Sequence, residues 1–244
     1  MSPVEVRDEG IIRWIGLNRP DKRNAIDQAT SEAFAAALDD ARRQPCVLVV
    51  HSTTPGIFAA GADIAELRDR DADAAFLAIN AGLFDKLEAH RWPTVAAVDG
   101  GALGGGCELA LACDLRVASA RAFFAQPEPS LGILAGAGGN WRLAQAAGQQ
   151  VARRMLYAGA RLSAAEALTA GLVDEVADDP EAAARALAGK IARQSWRALE
   201  LTKLALRSHR PATTTFDIAA QALLFGTQDK YDRMTAFLER RNRR

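Results

Sequence analysis

The stretch that most constrains the fold runs from Val95 to Asp114 and reads VAAVDGGALGGGCELALACD. Its apolar opening, Val95 to Val98, is typical of a buried strand. The five glycines that follow predict a tight loop, and the next apolar residues predict a helix over Leu109 to Cys113 with Glu108 near its start. A strand, a glycine loop and a helix present backbone N–H groups at the positive end of a helix dipole. The stretch is therefore predicted to hold an anion, or an oxygen that becomes anionic during a reaction.

Several common anion, metal and hydrolase sites do not fit the sequence. No register of the glycines gives the G-x-G-x-x-G of a dinucleotide site, and Cys107 stands where a P-loop needs lysine. The run beginning at Asp69 starts like a calcium loop, but Ala74 replaces the required glycine and Asn80 the closing glutamate. The three histidines stand alone and no G-x-S-x-G is present, so a hydrolase triad has little support.

Two carboxylates stand in unusual surroundings. Glu108 lies in an apolar segment without a basic neighbour, where burying an unpartnered charge is costly. Glu128 lies between Pro127 and Pro129, which fix the backbone and so aim the side chain. Together with backbone donors, two carboxylates can supply a general acid, a general base and an oxyanion hole. From the residues alone a plainer hypothesis stays open, in which Glu108 only favours the helix dipole and Glu128 is a surface turn residue.

Composition narrows the class of protein. At 244 residues the chain can form one large domain, or one domain with an appendage. Thirty basic residues balance thirty acidic ones, so charge gives no argument for nucleic acid or an anionic membrane as a partner. The three cysteines fit a reducing compartment better than a disulfide framework. Neither a signal peptide nor an apolar run of about 20 residues is visible, which favours a cytoplasmic protein.

The pattern along the chain predicts an α/β fold. Strands and helices alternate to about residue 178, beginning with a hairpin over residues 4–15, and only helices follow, with a break near Pro211. A helix capped by Asp27 or Thr30 is predicted early in the chain, and a single helix is predicted from Ala72 to Ala89. Ser163 begins a capping box, and Asp179 followed by proline is a strong helix start.

Taken together, the motifs resemble the crotonase superfamily of enoyl-CoA hydratases and isomerases over essentially the full length. The matching segments are LNRPDKRNAID at 17–27, FAAGADI at 58–64, AAVDGGALGGGCELALACD at 96–114, FAQPEPSLGILAGAGGNWRL at 124–143 and, more loosely, DKYDRMTAFLERR at 229–241. They occur in the family's order and at its spacing. The resemblance implies a ββα spiral domain over residues 1–178 and an all-α oligomerisation region over 179–244, which assembles homotrimers or dimers of trimers.

The resemblance also implies acyl-coenzyme A thioesters as substrates and assigns residues to their binding. The two N–H groups of the family's oxyanion hole fall on Ala62 and Gly105. Gly136 would allow close approach of water and the acyl group. No metal or redox cofactor is expected, because coenzyme A is part of the substrate. The segment that would line the adenine pocket comprises Ala60, Gly61, Asp63 and Ile64.

Hydratases of this family resemble the chain in carrying glutamate at both positions, Glu108 and Glu128. The resemblance then implies reversible syn addition of water across a 2-trans-enoyl-CoA double bond. Glu108 would take the proton from the attacking water, and Glu128 would deliver a proton to C2. The alternatives are another crotonase reaction, such as isomerisation or dehydration of a specialised hydroxyacyl-CoA, and a non-catalytic binder of acyl-CoA or RNA. RNA binding has little support, because the helix beginning near Asp27 has only Arg42 and Arg43 as basic residues.

Two departures from the family pattern concern coenzyme A binding. Ala65 stands where many relatives place a lysine near the coenzyme A phosphates, and Asp232-Arg233 replaces a common Glu-Gly pair. Arg240 and its neighbours could reach the phosphates, although a solvated basic tail is the plainer hypothesis.

Overall fold

The computed structural model describes residues 2–207, 222 and 224–242. In chain order its strands are β1 (Val4–Glu9), β2 (Ile12–Leu17), β3 (Val47–Ser52), β4 (Ile57–Ala59), β5 (Thr94–Val98), β6 (Gly101–Leu103), β7 (Leu115–Ser119), β8 (Phe123–Ala125), β9 (Leu162–Ser163) and β10 (Glu175–Ala177). Its helices are α1 (Gln28–Ala41), α2 (Ile64–Asp69), α3 (Ala72–Phe76), α4 (Ile79–Glu88), α5 (Gly105–Ala112), α6 (Gly139–Ala158), α7 (Ala164–Thr169), α8 (Pro180–Ala192), α9 (Trp196–Arg207) and α10 (Gln228–Asn242). Short 3-10 helices span Pro20–Lys22 and Glu128–Leu131.

The strands form two sheets that the chain visits alternately. The larger sheet has the order β1-β2-β3-β5-β7-β10, in which β1 is antiparallel to β2 and the other neighbours are parallel. The smaller has the order β4-β6-β8-β9, parallel except for the last pair. Three times a strand of the larger sheet is followed by a strand of the smaller, as β3-β4, β5-β6 and β7-β8, and then by helical residues. This is the predicted ββα spiral.

Both faces of the larger sheet are covered, which explains the nearly continuous apolar runs of its strands. The main core lies between the sheets and their helices and includes Phe34, Phe58 and Phe124. A second cluster on the opposite face joins Trp14 and Val49 to α8 through small alanines. Helix α8 therefore packs on the larger sheet as part of the same core. The predicted domain division after residue 178 stays a prediction.

Most local predictions are confirmed. β1 and β2 form the N-terminal hairpin, and Asp27 caps α1 by accepting a hydrogen bond from the Thr30 N–H. The Ser163 capping box and the Asp179 helix start are both present. The predicted break near Pro211 lies outside the described residues. Within the described part of the chain, no helix is both long and apolar enough to cross a membrane.

The predicted single helix from Ala72 to Ala89 is wrong. The chain forms α3 and α4 instead, because Ala78 between them adopts a left-handed conformation with φ of 48°. A left-handed residue ends the hydrogen-bond ladder of a right-handed helix. The periodic apolar pattern continues across the break and therefore hides it, and Ala78 itself lines the pocket described below.

Candidate active site

A pocket lies beside the start of α5, where loops that follow strands of both sheets meet. Its walls come from the β4–α2 segment, the start of α5, the 3-10 helix Glu128–Leu131, the loop before α6, and α3 with α4. Most of the walls are apolar, including Leu67, Leu131 and Ile133, while Arg70 and Asn80 add polar groups. The structure brings eight of the nine predicted site residues to this pocket, namely Ala60, Gly61, Ala62, Ile64, Gly105, Glu108, Glu128 and Gly136.

The backbone N–H groups of Ala62 and Gly105 come together at the pocket. A Cβ built on Gly61 would lie 3.2 Å from the Gly105 nitrogen, and one built on Gly105 would lie 3.3 Å from the Ala62 nitrogen. Gly105 is the first residue of α5, where N–H groups have no partner within the helix. The bridge between Ile26 and Ala62 uses the Gly61 carbonyl and the Asp63 N–H, so it does not consume the Ala62 N–H. The Ala62 and Gly105 nitrogens therefore belong to two segments in direct contact at the pocket.

Glycine is required where these two segments touch. Gly61 has φ of 96°, and a Cβ there would lie 2.8 Å from the Leu103 carbonyl oxygen. A Cβ on Gly106 would lie 2.2 Å from the Ala59 carbonyl oxygen. Any side chain at either position would push α5 away from the β4–α2 segment, so the close approach depends on both glycines.

Glu108 is buried in the first turn of α5, with 3% of its surface exposed. Its Oε1 accepts hydrogen bonds from the Ala137 N–H at 2.9 Å and the Gly139 N–H at 2.8 Å. Hydrogen bonds from N–H groups favour the charged form of a carboxylate and fix its orientation. The loop before α6 therefore supplies the partner that the local sequence around Glu108 lacks.

Glu128 opens the 3-10 helix and is 7% exposed, which rules out a surface turn residue. Burial raises the pKa of Glu128 well above its usual value, and the neighbouring charge of Glu108 raises it further. Its Oε1 lies 2.7 Å from the position that a Cβ on Gly104 would take, so glycine makes room for the carboxyl group. With its amide nitrogen facing the carboxyl group, Gln126 donates to the two oxygens at 3.0 and 3.1 Å.

The two carboxylates thus have different surroundings within one pocket. Backbone donors favour the ionised form of Glu108, whereas burial and like charge favour the protonated form of Glu128. Pairs of titratable groups whose environments separate their protonation in this way serve as base and acid in one reaction. Because Glu108 and Glu128 are neighbours, the charge of Glu108 affects the protonation of Glu128.

Two residues named from the family resemblance have other contacts. The Asp63 side chain is absent from the pocket lining and caps α2 by accepting a hydrogen bond from the Ala65 N–H at 3.0 Å. Arg240 donates to the Ala236 carbonyl of its own helix at 3.2 Å. A contact between Arg240 and coenzyme A stays a prediction.

The C-terminal helix α10 packs against α2, which contributes Ile64 and Leu67 to the pocket wall. Lys230 of α10 donates to the carbonyls of Leu67, Arg68 and Arg70 at 3.2, 2.8 and 2.8 Å, which satisfies the C-terminal end of α2. Met234 is fully buried against the same cluster as Leu67. These contacts fix α2, which follows the Ala62 segment, against α10.

Arg142 and Gln126 are parts of the site that the sequence did not predict. Gln126 directly precedes the Pro-Glu-Pro loop, and its full burial gives it a structural partner in Glu128. Arg142 stands in the matched segment at 124–143, but its partners lie on α4, more than 50 positions earlier in the chain. A charged residue next to Trp141 in a run otherwise rich in glycine and apolar residues was the available signal.

Comparisons with known proteins agree with this arrangement. The family model for enoyl-CoA hydratase/isomerase matches residues 7–244. The short-chain-enoyl-CoA hydratase of Clostridium acetobutylicum is 35% identical, with 99% of this chain and 96% of the relative covered. The 2,3-dehydroadipyl-CoA hydratase of Escherichia coli is 38% identical, with 99% and 97% covered. The crystal structure of an enoyl-CoA hydratase/isomerase from Mycobacterium paratuberculosis matches with a TM-score of 0.89 at 30% identity, with 97% and 98% covered.

Proposed function

Because the chain belongs to the enoyl-CoA hydratase/isomerase family, we propose that it adds water reversibly across the double bond of a 2-trans-enoyl-CoA thioester. The predicted crotonase-like fold is confirmed by the solved relative. The observation that carries the proposal is the pair of carboxylates in one pocket, one held by N–H donors and one whose pKa is raised by burial and like charge.

The substrate carbonyl is activated by the backbone. In the proposed complex the thioester oxygen accepts hydrogen bonds from the N–H groups of Ala62 and Gly105. This oxygen gains negative charge when the enolate forms, so donors already in place stabilise the transition state more than the substrate. One such donor contributes roughly 2.7–4 kcal/mol to lowering the barrier.

The two carboxylates divide the proton transfers. Glu108 accepts a proton from water as the water oxygen bonds to C3, and the C2–C3 double-bond electrons move toward the thioester to give the enolate. Glu128 then gives its proton to C2. The double-bond electrons between C2 and the carbonyl carbon of the enolate form the new C2–H bond, and an electron pair of the oxyanion restores the C=O double bond. The roles reverse in dehydration. Every step is a proton transfer or an addition, so the chemistry needs no metal or redox group.

Crotonyl-CoA hydration by the wild type, Glu108→Gln and Glu128→Gln tests this mechanism. Each acid–base role typically contributes about 10²- to 10⁴-fold, so each variant should lose that much kcat/KM. Glu166→Gln is the matched control, because it makes the same change in a capping box, where glutamine also serves. Wild-type activity within about tenfold of either pocket variant would overturn the two-carboxylate mechanism.

Assembly into a homotrimer or a dimer of trimers is part of the proposal. Leu201, Leu204 and Leu206 of α9 are 50, 61 and 73% exposed in the single chain, which supports a surface covered by further copies. Sedimentation velocity should give a trimer or hexamer, and a monomer at micromolar concentration would contradict the proposal.

We also place the reaction in the cytoplasm. Cys46, Cys107 and Cys113 are all buried free thiols, which supports a reducing compartment. Cell fractionation with activity measurement tests this placement.

A further inference from the structure

Arg142 is a buried arginine in the second turn of α6 whose guanidinium links two parts of the fold. It is 4% exposed, and its Nη2 lies 2.8 Å from Asp85 Oδ1 and 2.6 Å from Glu88 Oε2, both on α4. Its Nε also donates to Glu88 Oε2 at 3.2 Å. The guanidinium further lies over the Trp141 ring at 4.4 Å. Such a buried cation is held in one orientation by carboxylates on one side and an aromatic ring on another.

The third nitrogen of the Arg142 guanidinium contacts the loop that holds Glu108. Nη1 donates to the Ala137 carbonyl at 2.7 Å, while the N–H of the same residue donates to Glu108 Oε1 at 2.9 Å. Gly138 has φ of 105°, and a Cβ there would lie 2.1 Å from Nη1. The guanidinium therefore packs directly on the turn of residues 137–139, at a place where no side chain fits.

We propose that Arg142 is a positioning residue for Glu108, because it fixes the turn of residues 137–139 whose two N–H groups hold the carboxylate. This inference rests on the proposed function, in which Glu108 is the base. Glu108 contacts water and substrate, and Arg142 acts on it only through the backbone of the turn. Among the described residues, the charged groups around this unit include Asp85 and Glu88 beside Arg142, and Glu128 beside Glu108.

The geometry of arginine is essential to this role. A lysine would keep the positive charge but cannot contact the α4 carboxylates and the Ala137 carbonyl with separate donors in a fixed plane. In Arg142→Lys the turn should loosen, and Glu108 should lose part of the stabilisation of its ionised form. Small misplacements of catalytic groups cost up to about 100-fold in rate, so we expect kcat to fall roughly 10- to 100-fold while KM changes little.

Arg116→Lys is the matched control. Arg116 is also a buried arginine, 8% exposed, and donates to the carbonyls of Leu172 and Cys113 at 2.6 and 2.7 Å, neither of which belongs to the turn of residues 137–139. Both variants should lose thermal stability. Only Arg142→Lys should lose kcat on crotonyl-CoA, and only there should the acidic limb of the pH–kcat/KM profile move to higher pH, since ionised Glu108 is less favoured.

Glu88→Gln extends the test if Arg142→Lys fails to fold. It keeps an acceptor for Arg142 but removes the charge, so the same changes should appear with a smaller amplitude. A wild type inactive on crotonyl-CoA and on 2-trans-enoyl-CoA thioesters of other chain lengths would overturn the proposed function, and this inference with it. An active wild type whose Arg142→Lys and Glu88→Gln variants match Arg116→Lys in kcat and pH profile would overturn the positioning role alone.

Discussion

Two of the regions in which the structure buries charged groups arrange them in opposite ways. We call the first the α9 anchor, made of Lys203, Asp114, Thr94 and the Trp92 carbonyl. Lys203 Nζ lies 2.6 Å from Asp114 Oδ2 and 3.1 Å from the Trp92 carbonyl oxygen. Asp114 Oδ2 also accepts a hydrogen bond from the Thr94 N–H at 2.7 Å. Opposite charges meet here and their hydrogen bonds are satisfied, so the anchor joins α9 to the spiral.

In the pocket the neighbouring charges are alike. Glu128 lies beside Glu108, and burial together with this like charge raises the pKa of Glu128. Replacing a carboxyl group under such strain would favour the fold, yet the same strain keeps a proton available for transfer. Buried charges of opposite sign therefore hold secondary-structure elements together, whereas neighbouring buried charges of like sign favour proton transfer. Three variants test whether this division is correct.

Lys203→Met should have the largest effect. Breaking a buried pair by removing one partner costs about 3–5 kcal/mol, and because the Asp114 side chain is 29% exposed we expect roughly 3 kcal/mol. Urea unfolding measures the loss in the free energy of unfolding. Crotonyl-CoA turnover by the folded variant should match the wild type. A lower kcat with unchanged stability would reverse the roles assigned to the two regions.

His90→Leu should change how stability depends on pH. His90 is buried near the anchor, and within the described residues neither ring nitrogen has a hydrogen-bond partner. Burial, aided by the charge of Lys203, lowers the pKa of His90 to about 3. Between pH 6.5 and about 3 the unfolded chain therefore binds a proton that the folded chain does not, so stability falls as pH falls.

Between these pH values, His90 should lower the free energy of unfolding by up to about 1.4 kcal/mol for each unit that the pH falls. Unfolding curves at several pH values should show a shallower slope for His90→Leu than for the wild type. Parallel slopes for the two proteins would mean that the folded chain also protonates His90 in this pH range.

Glu128→Gln should have the smallest effect on stability, and its sign is what matters. The raised pKa of Glu128 means that the folded chain keeps a proton that the unfolded chain loses as pH rises above 4.5. The wild type therefore loses stability as pH rises, whereas glutamine does not titrate and causes no such loss. The variant should unfold at a higher temperature than the wild type at pH 7. Differential scanning calorimetry measures this, with Glu166→Gln as control. A lower melting temperature would show that the pocket charge is not strained.

Much of the fold could be predicted from the sequence, because short-range residue patterns favour the structures that form. The N-terminal hairpin and the caps at Asp27, Ser163 and Asp179 depend on residues a few positions apart. The break at Ala78 was missed because alanine normally continues a helix, and only the tertiary position of α3 and α4 explains its left-handed backbone. β6 was hidden by glycine, since Gly101 to Leu103 reads as a loop unless its sheet partners are known.

The site divides in the same way. Glu108 and Glu128 stood out from their neighbours alone, as a carboxylate in an apolar helix and one between prolines. The pairing of Ala62 with Gly105 came from family resemblance, because a backbone N–H carries no mark in the sequence. Arg142 was missed because its partners on α4 are distant in the chain, and a single sequence gives no measure of such contacts.

The contact between Gly106 and the Ala59 carbonyl bears on how such a site can evolve. No side chain separates helix from strand there, so the spacing of the Ala62 and Gly105 donors is set by peptide geometry, which is the same in every sequence. Exchanging the pocket carboxylates or reshaping its walls leaves those donors where they are. Under the proposed mechanism, a descendant of this chain could therefore acquire a different reaction while keeping the donors that stabilise the enolate.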